Sequence, residues 1–396
     1  MSMAGLAQGI FIATVLVLAW GVWGLSRVRR VSQLPDMLPA GAPKVSVIVA
    51  ALNEEATIEP AMRSLLALDY PNLEIVAVND RSTDGTGAIL DRMAGQDPRL
   101  RVLHIAQLPP GWLGKNHALH AAAAVASGDI LLFTDADVVY ERSALRRTVA
   151  YFAANELDHL TLFPDMHAQS GAAGAMVLGA AMFLLLRHPI WLLRRSKRVY
   201  FGAGAFNMVR ASAYRAWGGH EPLKLEVLDD LMLGRLVKRL GLRQDALVSP
   251  GSVKVEWYAD APAMVKGLEK NGFANMDYSL AHVVASSALI LFVRYFPYVG
   301  LVTTSGRTWW FCLGAIVGDL VAHAHALRLT SLHARCLLWV PLNPALMVYT
   351  MLRSTYITLR SGGITWRGTF YPLDELRRAH AQGSAQPAGE VQVTPR

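Results

Sequence analysis

The segment Ile130–Tyr140, ILLFTDADVVY, holds the residues whose types and spacing point most clearly to chemistry. An apolar run ends in Thr134-Asp135-Ala136-Asp137, which places two carboxylates close together at the end of a predicted buried strand. Mg²⁺ and Mn²⁺ take carboxylate oxygens as ligands, and an ion held in this way usually also binds substrate phosphates. A solvated turn is the alternative, because Asp is common in turns. The motif by itself leaves both interpretations open.

The composition indicates a membrane protein. The 396 residues are 53% hydrophobic and only 17% charged, which is too apolar for an ordinary soluble enzyme. The formal net charge of +8 fits basic flanks that face anionic lipid better than a nucleic-acid-binding surface, so no nucleic-acid partner is expected. The two cysteines, Cys312 and Cys336, lie in late apolar stretches and indicate neither a disulfide framework nor a zinc site.

An uncharged run from Ala4 to Leu25 is long enough to span a bilayer, and Arg27, Arg29 and Arg30 follow it. A signal peptide places its positive charges before the apolar run, so residues 1–30 are predicted to form an anchor. The positive-inside rule then puts the following residues in the cytoplasm. We therefore expect a multi-pass protein of the inner (plasma) membrane with a cytoplasmic catalytic domain.

The last third of the chain is apolar again, and residues 281–358 are expected to hold two or three membrane helices. Arg294 and Asp319 within this region leave interfacial or re-entrant placement open for some of these stretches. Arginines in residues 359–396 favour a cytoplasmic tail with a disordered end, which requires an even number of crossings before it. The three candidate segments are Ala281–Thr303, Thr308–Leu327 and Cys336–Ile357.

Between the membrane segments, short runs rich in β-formers alternate with helical stretches, which predicts a mostly parallel sheet covered on both faces. Such sheets bind ligands beyond the carboxyl ends of their strands. The predicted strands are Val45–Ala50, Glu74–Val78, Val102–Ile105 and Ile130–Thr134, and the predicted helices are Glu54–Leu68, Asp84–Met93 and Lys115–Ser127.

Polar side chains fall at those carboxyl ends. Asn53 and Glu54 follow the first strand, and VNDRSTDGT (78–86) follows the second. Asp80 is placed to accept hydrogen bonds from a base or ribose, whereas capping of the helix that starts near Asp84 is the alternative for either aspartate. The first strand has no GxGxxG after it, which disfavours a Rossmann oxidoreductase.

The stretch LPPGWLGKNHAL (108–119) places two glycines and Lys115 immediately before a predicted helix. A helix N-terminus and a lysine together suit a phosphate group. A capped surface turn with a solvated lysine is the alternative interpretation.

These residues resemble a known family. ALNEE, VNDRSTDGT, GWLGKNHAL and FTDADVVY, in this order and spacing, are similar to the donor-binding half of family 2 glycosyltransferases with a GT-A fold. Residues 201–241 resemble the acceptor half, with a GAG turn that contains Gly204 and an acidic pair, Asp229-Asp230, that opens a helix. The resemblance covers about residues 44–275. It implies an α/β fold, with a Rossmann-like mixed, mostly parallel sheet in a domain at 40–275, plus α-helical transmembrane segments.

The resemblance also implies roles for the matching residues. Asp80 would recognise the base, Asp135 would approach the ribose and the metal, and Asp137 would ligate Mg²⁺ or Mn²⁺. Lys115 would neutralise the diphosphate. Asp230 would be the general base, with Asp229 beside it, whereas a helix cap with dipole compensation is the alternative for this pair. The donor-binding set expected from the matching motifs is Ala51, Asn53, Glu54, Asp80, Asp84, Lys115 and Asp135.

Two departures from the family pattern affect the expected substrates. Asn79-Asp80 stands where the family usually has two aspartates, so base recognition is open. The QxxRW signature of processive polysaccharide synthases and ceramide glucosyltransferases is absent, and residues 257–278 offer Lys266, Lys270 and Asn271 for the diphosphate instead. We therefore expect one sugar, carried on UDP in the donor, to be transferred to a lipid acceptor. A processive synthase and a catalytically inactive scaffold are the alternatives.

Two further segments connect the predicted enzyme to lipid. Ala172–Leu193 is predicted to be an interfacial helix, since a spanning helix would separate Asp230 from the DAD motif; a buried helix is the alternative. GGITWRGTFY (362–371) resembles a tail motif of family members that glycosylate lipids such as hopanoids and carotenoids, and its Trp366 and Arg367 join the candidate acceptor or diphosphate residues.

Overall fold

The computed structural model describes residues 2–39, 41–258 and 260–385, and the chain divides into two compact units. The helical unit comprises the residues up to Val28, Met166–Trp191 and Trp257–Leu373. The sheet unit comprises Arg29–Asp165, Leu192–Glu256 and the residues from Asp374 onward. The predicted disordered end of the tail lies outside the described residues.

The sheet unit is built on one eight-stranded sheet. The last two residues of one strand, Met166 and His167, are assigned to the helical unit. Its strands are β1 Val45–Ala51, β2 Leu73–Asp80, β3 Leu100–Ile105, β4 Ile130–Asp135, β5 Val139–Tyr140, β6 His159–His167, β7 Asn207–Arg210 and β8 Gln244–Glu256. Its helices are α2 Ile58–Leu66, α3 Thr86–Ala94, α4 Gly114–Val125, α5 Ala144–Ala154, α7 Ala211–Ala216, α8 Asp229–Arg239 and nearly all of α14 Leu373–Ala385.

The strand order is β3-β2-β1-β4-β7-β6-β8-β5, and the first four of these strands are parallel. β7 then runs antiparallel to both β4 and β6, and β5 is antiparallel to β8. This mixed, mostly parallel sheet confirms the predicted fold class. The strands β1 and β4 consist almost entirely of buried residues, which is what a parallel sheet covered on both faces requires.

The helices of the sheet unit bury one apolar stripe each. In α2 the buried residues Ile58, Ala61, Met62 and Leu65 recur at helical spacing. The helix begins four residues later than predicted, because Asn53 has a left-handed backbone (φ 56°) and the chain turns before the helix can start.

The helical unit contains seven α-helices and one hairpin among its described residues, besides short 3₁₀ helices. Its elements are α1 Met3–Leu25, α6 Gly171–Arg187, α9 Ala261–Gly267, α10 Glu269–Gly272, α11 Leu280–Thr303, α12 Gly306–Ala326, α13 Asn343–Ser361, β9 Gly363–Trp366 and β10 Thr369–Pro372.

Four helical segments of the described chain are long and apolar enough to cross a membrane. Met3–Leu25, Leu280–Thr303 and Gly306–Leu329 have 11%, 22% and 28% of their apolar window buried inside the protein. Gly171–Leu192 has 56% buried, and a Cβ at its Gly179 would lie only 1.8 Å from Nδ2 of Asn343. Protein therefore covers more of α6 than of the other three candidates. Its interfacial placement stays a prediction.

The last predicted membrane segment, Cys336–Ile357, is not one helix. A 3₁₀ helix, Ala334–Leu342, ends where α13 begins, with Pro344 in the first turn of α13. Thr350, Ser354 and Thr358 are buried in α13, and this helix is not among the four membrane candidates. Two candidates thus remain after residue 280 in the part of the chain that the structure describes, and the cytoplasmic placement of the tail stays a prediction.

Polar residues of α11 and α12 contact one another. Nη1 of Arg294 in α11 forms an ion pair with Oδ1 of Asp319 in α12. Nδ1 of His323, also in α12, lies 3.3 Å from the same oxygen. Paired charges are the form in which ionisable side chains are tolerated inside membrane helices.

Candidate functional site

The register of three adjacent strands brings the predicted donor residues to one edge of the sheet. Ala50 of β1 pairs with Asp135 of β4, and Ala51 pairs with Asn79 of β2. Ala51 is itself buried, and Asp80 follows Asn79 as the last residue of β2. Side chains more than fifty positions apart in sequence therefore emerge beside one another at the carboxyl ends of parallel strands.

The two aspartates of the DAD motif lie at this edge. Asp135 ends β4, and its N–H donates to the carbonyl of Gly204 at 3.0 Å. Burial, together with the nearby carboxylates of Asp135 and Glu54, raises the pKa of Asp137 to about 7. Crowded carboxylates repel one another, so a cation bound here would favour their ionised forms.

This donor set fits a divalent ion that is held jointly with substrate phosphates. Mg²⁺ and Mn²⁺ prefer oxygen ligands, and Mg²⁺ is usually bound by one or two carboxylates while waters and phosphates fill its other positions. Asp135 and Asp137 would supply the two carboxylates. Within the described residues no cluster of three or more His, Cys, Asp or Glu side chains forms a complete metal cage.

Lys115 links the two halves of the site. Its Nζ lies 2.8 Å from Oδ1 of Asp135 and 3.4 Å from Oδ2 of Asp229. Burial lowers the pKa of Lys115, but the carboxylates of Asp135, Asp229 and Asp230 outweigh that effect and raise the pKa above its ordinary value. The lysine is therefore a permanent positive charge next to carboxylates from two distant parts of the chain.

The acidic pair opens α8, as predicted. Oδ2 of Asp230 accepts a hydrogen bond from the N–H of Gly204 at 2.7 Å, and Oδ1 accepts one from Leu231 at 2.8 Å. Burial and the neighbouring carboxylate of Asp229 raise the pKa of Asp230 to about 6. A carboxylate that is fixed by donors and has a pKa near neutrality is suited to act as a general base.

Lys115, Asp135 and the acidic pair line one small cavity in the sheet unit, whereas Asp137 is not among its lining residues. Its walls combine the charged residues with apolar side chains and with His220, which is 1% exposed. The lining residues are Lys115, Leu119, Phe133, Thr134, Asp135, Gly204, Asn207, His220, Asp229, Asp230 and Leu233.

Asp80 has a partner that the sequence analysis did not single out. The carboxylate is 2% exposed and accepts hydrogen bonds from Nε (2.8 Å) and Nη2 (3.0 Å) of Arg81. Arg81 has a left-handed backbone (φ 61°), which is unusual for this residue type. A Cβ at Gly114 would lie 2.7 Å from Oδ2 of Asp80, so the start of α4 approaches the pair closely. Arg81 stands next to Asp80 in the sequence, but no motif predicts that its guanidinium donates two hydrogen bonds to the Asp80 carboxylate.

Asn53 and Asp84 form hydrogen bonds between the loop after β1 and the loop after β2. Oδ1 of Asn53 accepts a hydrogen bond from the N–H of Thr83 at 2.8 Å. Asp84 accepts one from Thr86, the first residue of α3, at 3.0 Å, and one from Glu55 at 3.1 Å. The structure thus gives Asp84 the contacts of the capping alternative, and its contact with a ligand stays a prediction.

The remaining predicted residues lie in the helical unit. Nζ of Lys270 lies 3.6 Å from the ring centroid of Trp366, a cation–π geometry. Arg367 and Gly368 form the positive-φ turn between β9 and β10. Asn271, in α10, has a buried Oδ1 that accepts no hydrogen bond from any of the described residues. Their predicted role at the diphosphate or acceptor stays a prediction.

Asn116 is a residue that motif reading missed. It is fully buried, and its Nδ2 donates to the carbonyls of Leu223 at 2.6 Å and Glu226 at 3.0 Å. The Glu226 carboxylate lies 3.2 Å from Nδ1 of His380 in α14. The loop before Asp229 is thus held by the residue next to Lys115. A polar side chain on the buried face of an alanine-rich helix was the available signal.

The chain is similar to known proteins in the same region. Residues 46–218 match the family model described as glycosyl transferase family 2. A beta-monoglucosyldiacylglycerol synthase from Synechocystis sp. is 37% identical over 153 residues, which cover 34% of this chain and 32% of that protein. A 4,4'-diaponeurosporenoate glycosyltransferase from Staphylococcus haemolyticus is 24% identical over 248 residues, 61% of this chain and 64% of that protein.

The matched stretch spans about a third of the length of the synthase. Among solved structures, the mannosyltransferase PcManGT from Pyrobaculum calidifontis in complex with GDP-Man and Mn²⁺ has a TM-score of 0.57 at 18% identity, with 90% of this chain and 99% of that chain covered. This likeness shows that the two proteins share a fold.

Proposed function

We propose, on the premise that residues 46–218 form a glycosyl transferase family 2 domain, that this protein is a membrane-bound, inverting, metal-dependent glycosyltransferase. It would transfer one sugar from a nucleotide-sugar to a lipid acceptor at the cytoplasmic membrane face. The observation that carries the proposal is the position of Lys115, whose ammonium lies 2.8 Å from the donor-side Asp135 and 3.4 Å from the acceptor-side Asp229.

In this reaction the residues of the chain bind, orient and move a proton. Asp80 and the loops after β1 and β2 hold the nucleoside. Lys115 faces the diphosphate and stabilises the negative charge that develops on it as the bond to the sugar breaks. A divalent ion on Asp135 and Asp137 would add Lewis-acid stabilisation of the same leaving group.

Asp230 acts on the acceptor. Its carboxylate takes the proton of the acceptor hydroxyl while the acceptor oxygen forms a bond to the anomeric carbon. The bond between that carbon and the diphosphate oxygen breaks on the opposite side, so the configuration is inverted. General base catalysis typically contributes 10²–10⁴-fold.

The lipid acceptor is supported by two independent features. Both named relatives carry a lipid in their names, a diacylglycerol and a diaponeurosporenoate. Among the residues that the structure describes, four helical segments are apolar and long enough to cross a membrane. The nucleotide is open between uridine, our expectation from the sequence, and guanosine, which the solved PcManGT binds.

The test is product identification. Full-length protein in nanodiscs of bacterial lipid extract is incubated with Mn²⁺ and, in turn, UDP-glucose, UDP-N-acetylglucosamine and GDP-mannose, and the lipids are analysed by mass spectrometry. We expect one donor to give a lipid that is heavier by a single hexose or N-acetylhexosamine. A ladder of products would indicate a processive synthase. The absence of any glycolipid with all three donors would contradict the proposal.

A further inference from the structure

Two clusters of basic residues follow candidate membrane helices in the sequence. Arg27, Arg29 and Arg30 come within five residues of the end of α1 at Leu25. The candidate span Gly171–Leu192 is followed by a second cluster that contains no acidic residue. Its cations are Arg194, Arg195, Lys197 and Arg198, all exposed.

The structure brings Arg29 of the first cluster and Arg194 of the second to one place in the sheet unit. The guanidinium of Arg29 lies 5.7 Å from the ring centroid of Tyr151, whose hydroxyl donates to Asp245 at 2.7 Å. Nε of Arg194 lies 3.7 Å from the same carboxylate. The N–H of Val248 donates to the carbonyl of Arg29 at 3.1 Å, which fixes the first cluster against the sheet.

The last turns of α8 add three more cations. Nζ of Lys238 donates to the carbonyl of Leu193, and the guanidinium of Arg235 lies 5.8 Å from the ring centroid of Tyr200. Burial and the charge of Arg235 lower the pKa of Arg239. Contacts thus place Arg29, Arg194 and Lys238 near Asp245. We call these cations, together with those that adjoin them in the chain or along α8, the basic surface: Arg29, Arg30, Arg194, Arg195, Lys197, Arg198, Arg235, Lys238 and Arg239.

We propose that the basic surface binds the headgroups of anionic phospholipids. The inference rests on the membrane placement in the proposed function. Arg29 and Arg194 follow apolar helices by four and two residues, and four residues reach at most about 14 Å. The negative potential of an anionic membrane extends over about one Debye length, roughly 8 Å in physiological salt. Nucleic acid, another polyanion, is disfavoured because each cluster follows an apolar segment.

Lipid bound at the basic surface would act on segments that also carry residues of the candidate active site. The basic loop 194–200 continues directly into the turn with Gly204, which donates to Asp230. α8 carries Asp230 in its first turn and the cations Arg235, Lys238 and Arg239 in its last two turns. Headgroups that hold the basic surface would therefore restrain both segments that position the proposed base.

The experiment compares amide hydrogen exchange of residues 194–200 in full-length protein in two kinds of nanodisc. One contains only phosphatidylcholine and the other contains increasing fractions of phosphatidylglycerol. Exchange should slow as the anionic fraction rises, and 0.5 M salt should reverse the effect. In the variant Arg195→Gln/Lys197→Gln/Arg198→Gln the anionic fraction at half-maximal protection should rise by roughly tenfold or more, since each cation near the surface contributes separately.

The matched control is Arg92→Gln/Arg101→Gln/Arg142→Gln, which removes the same charge from other parts of the sheet unit and should respond like the wild type. Equal exchange in both nanodiscs, an equal response of both triple variants, or protection by RNA but not by lipid would overturn the proposal. Nucleoside diphosphate release in the same samples tests the proposed function separately. Salt-sensitive protection without turnover would support lipid binding and count against the enzyme activity.

Discussion

The backbone N–H of Gly204 donates a hydrogen bond of 2.7 Å to Oδ2 of Asp230, while its carbonyl accepts one of 3.0 Å from the N–H of Asp135. One residue thus joins the strand end that carries the proposed metal ligands to the helix that carries the proposed base. The spacing between Asp135, on the side of the sugar donor, and Asp230, on the side of the acceptor, therefore depends on Gly204. It also depends on Lys115, which lies close to carboxylates on both sides.

Substitution of Gly204 tests this connection. A Cβ at this position would lie 2.3 Å from Oδ2 of Asp135, so Gly204→Ala must displace a carboxylate of the DAD motif. We expect Mn²⁺ to bind more weakly and turnover to fall by about 10²-fold, the effect of a misplacement of about 1 Å. Metal titration and steady-state kinetics measure both quantities.

The control is Gly95→Ala. A Cβ there would lie 3.6 Å from the carbonyl oxygens of Asp91 and Arg92, which is ordinary contact, and the backbone is right-handed. Wild-type metal affinity in both variants would show that Gly204 does not position Asp135.

Asp230→Asn should separate binding from transfer. The amide keeps the shape of the side chain but does not accept a proton, so transfer should fall by 10²–10⁴-fold while the donor Kd changes little. Calorimetry with the nucleotide-sugar and a product assay give the two values. Asp91→Asn, an exposed position on α3, is the control. Equal transfer rates for wild type and Asp230→Asn would remove Asp230 from the role of base.

Asn116→Ala should lower kcat more than it raises the KM for the donor. The substitution removes the Asn116 donor from the buried carbonyls of Leu223 and Glu226, of which that of Leu223 keeps the N–H of Glu226. The lost bonds cost about 1–3 kcal/mol and loosen the loop before Asp229. Asn72→Ala, which removes a single bond to the carbonyl of Ala42, is the control. A rise in KM alone would show that Asn116 serves donor binding and not the placement of the base.

The burial of His159 should make the stability of the protein depend on pH. Its ring is buried between Asn207 (3.0 Å) and Gln244 (2.8 Å), and burial lowers its pKa to about 4. The unfolded chain takes up a proton near pH 6.5, so this contribution to stability is complete above that pH and is lost as the pH falls towards 4. The loss amounts to about 3 kcal/mol.

The measurement is the thermal unfolding midpoint of full-length protein in detergent between pH 7 and pH 4. His159→Gln should flatten the decline, whereas His104→Gln, at an exposed position, should leave it as in the wild type. An unchanged decline in His159→Gln would assign the acid sensitivity to other groups.

The sequence predicted the features that local patterns determine. Apolar β-rich runs located the four parallel strands to within a few residues, and the alignment of polar residues at their ends anticipated the sheet edge at which Asp80 and Asp135 both lie. The order of the motifs also placed Asp230 at the start of a helix. Each of these depends on residues within one element or on a motif of fixed spacing.

Other features depend on contacts that no local pattern encodes. The bonds from Asn116 to Leu223 and Glu226 join positions more than a hundred residues apart. The delayed start of α2 follows from the backbone of Asn53 and the bonds between two loops. Cys336–Ile357 was predicted as one segment because its average hydrophobicity hides the break before Pro344.

The central claim is that Asp137 and Asp230 act on opposite sides of one transfer reaction. The most direct measurement is nucleoside diphosphate release by full-length protein in lipid nanodiscs, with the accepted nucleotide-sugar and Mn²⁺, for the wild type, Asp137→Asn and Asp230→Asn. We expect the wild type to release nucleoside diphosphate and glycolipid in equal amounts, chelation of the metal to abolish the release, and both variants to reduce it at least 10²-fold. Wild-type release by both variants, or release that does not depend on a divalent ion, would contradict it.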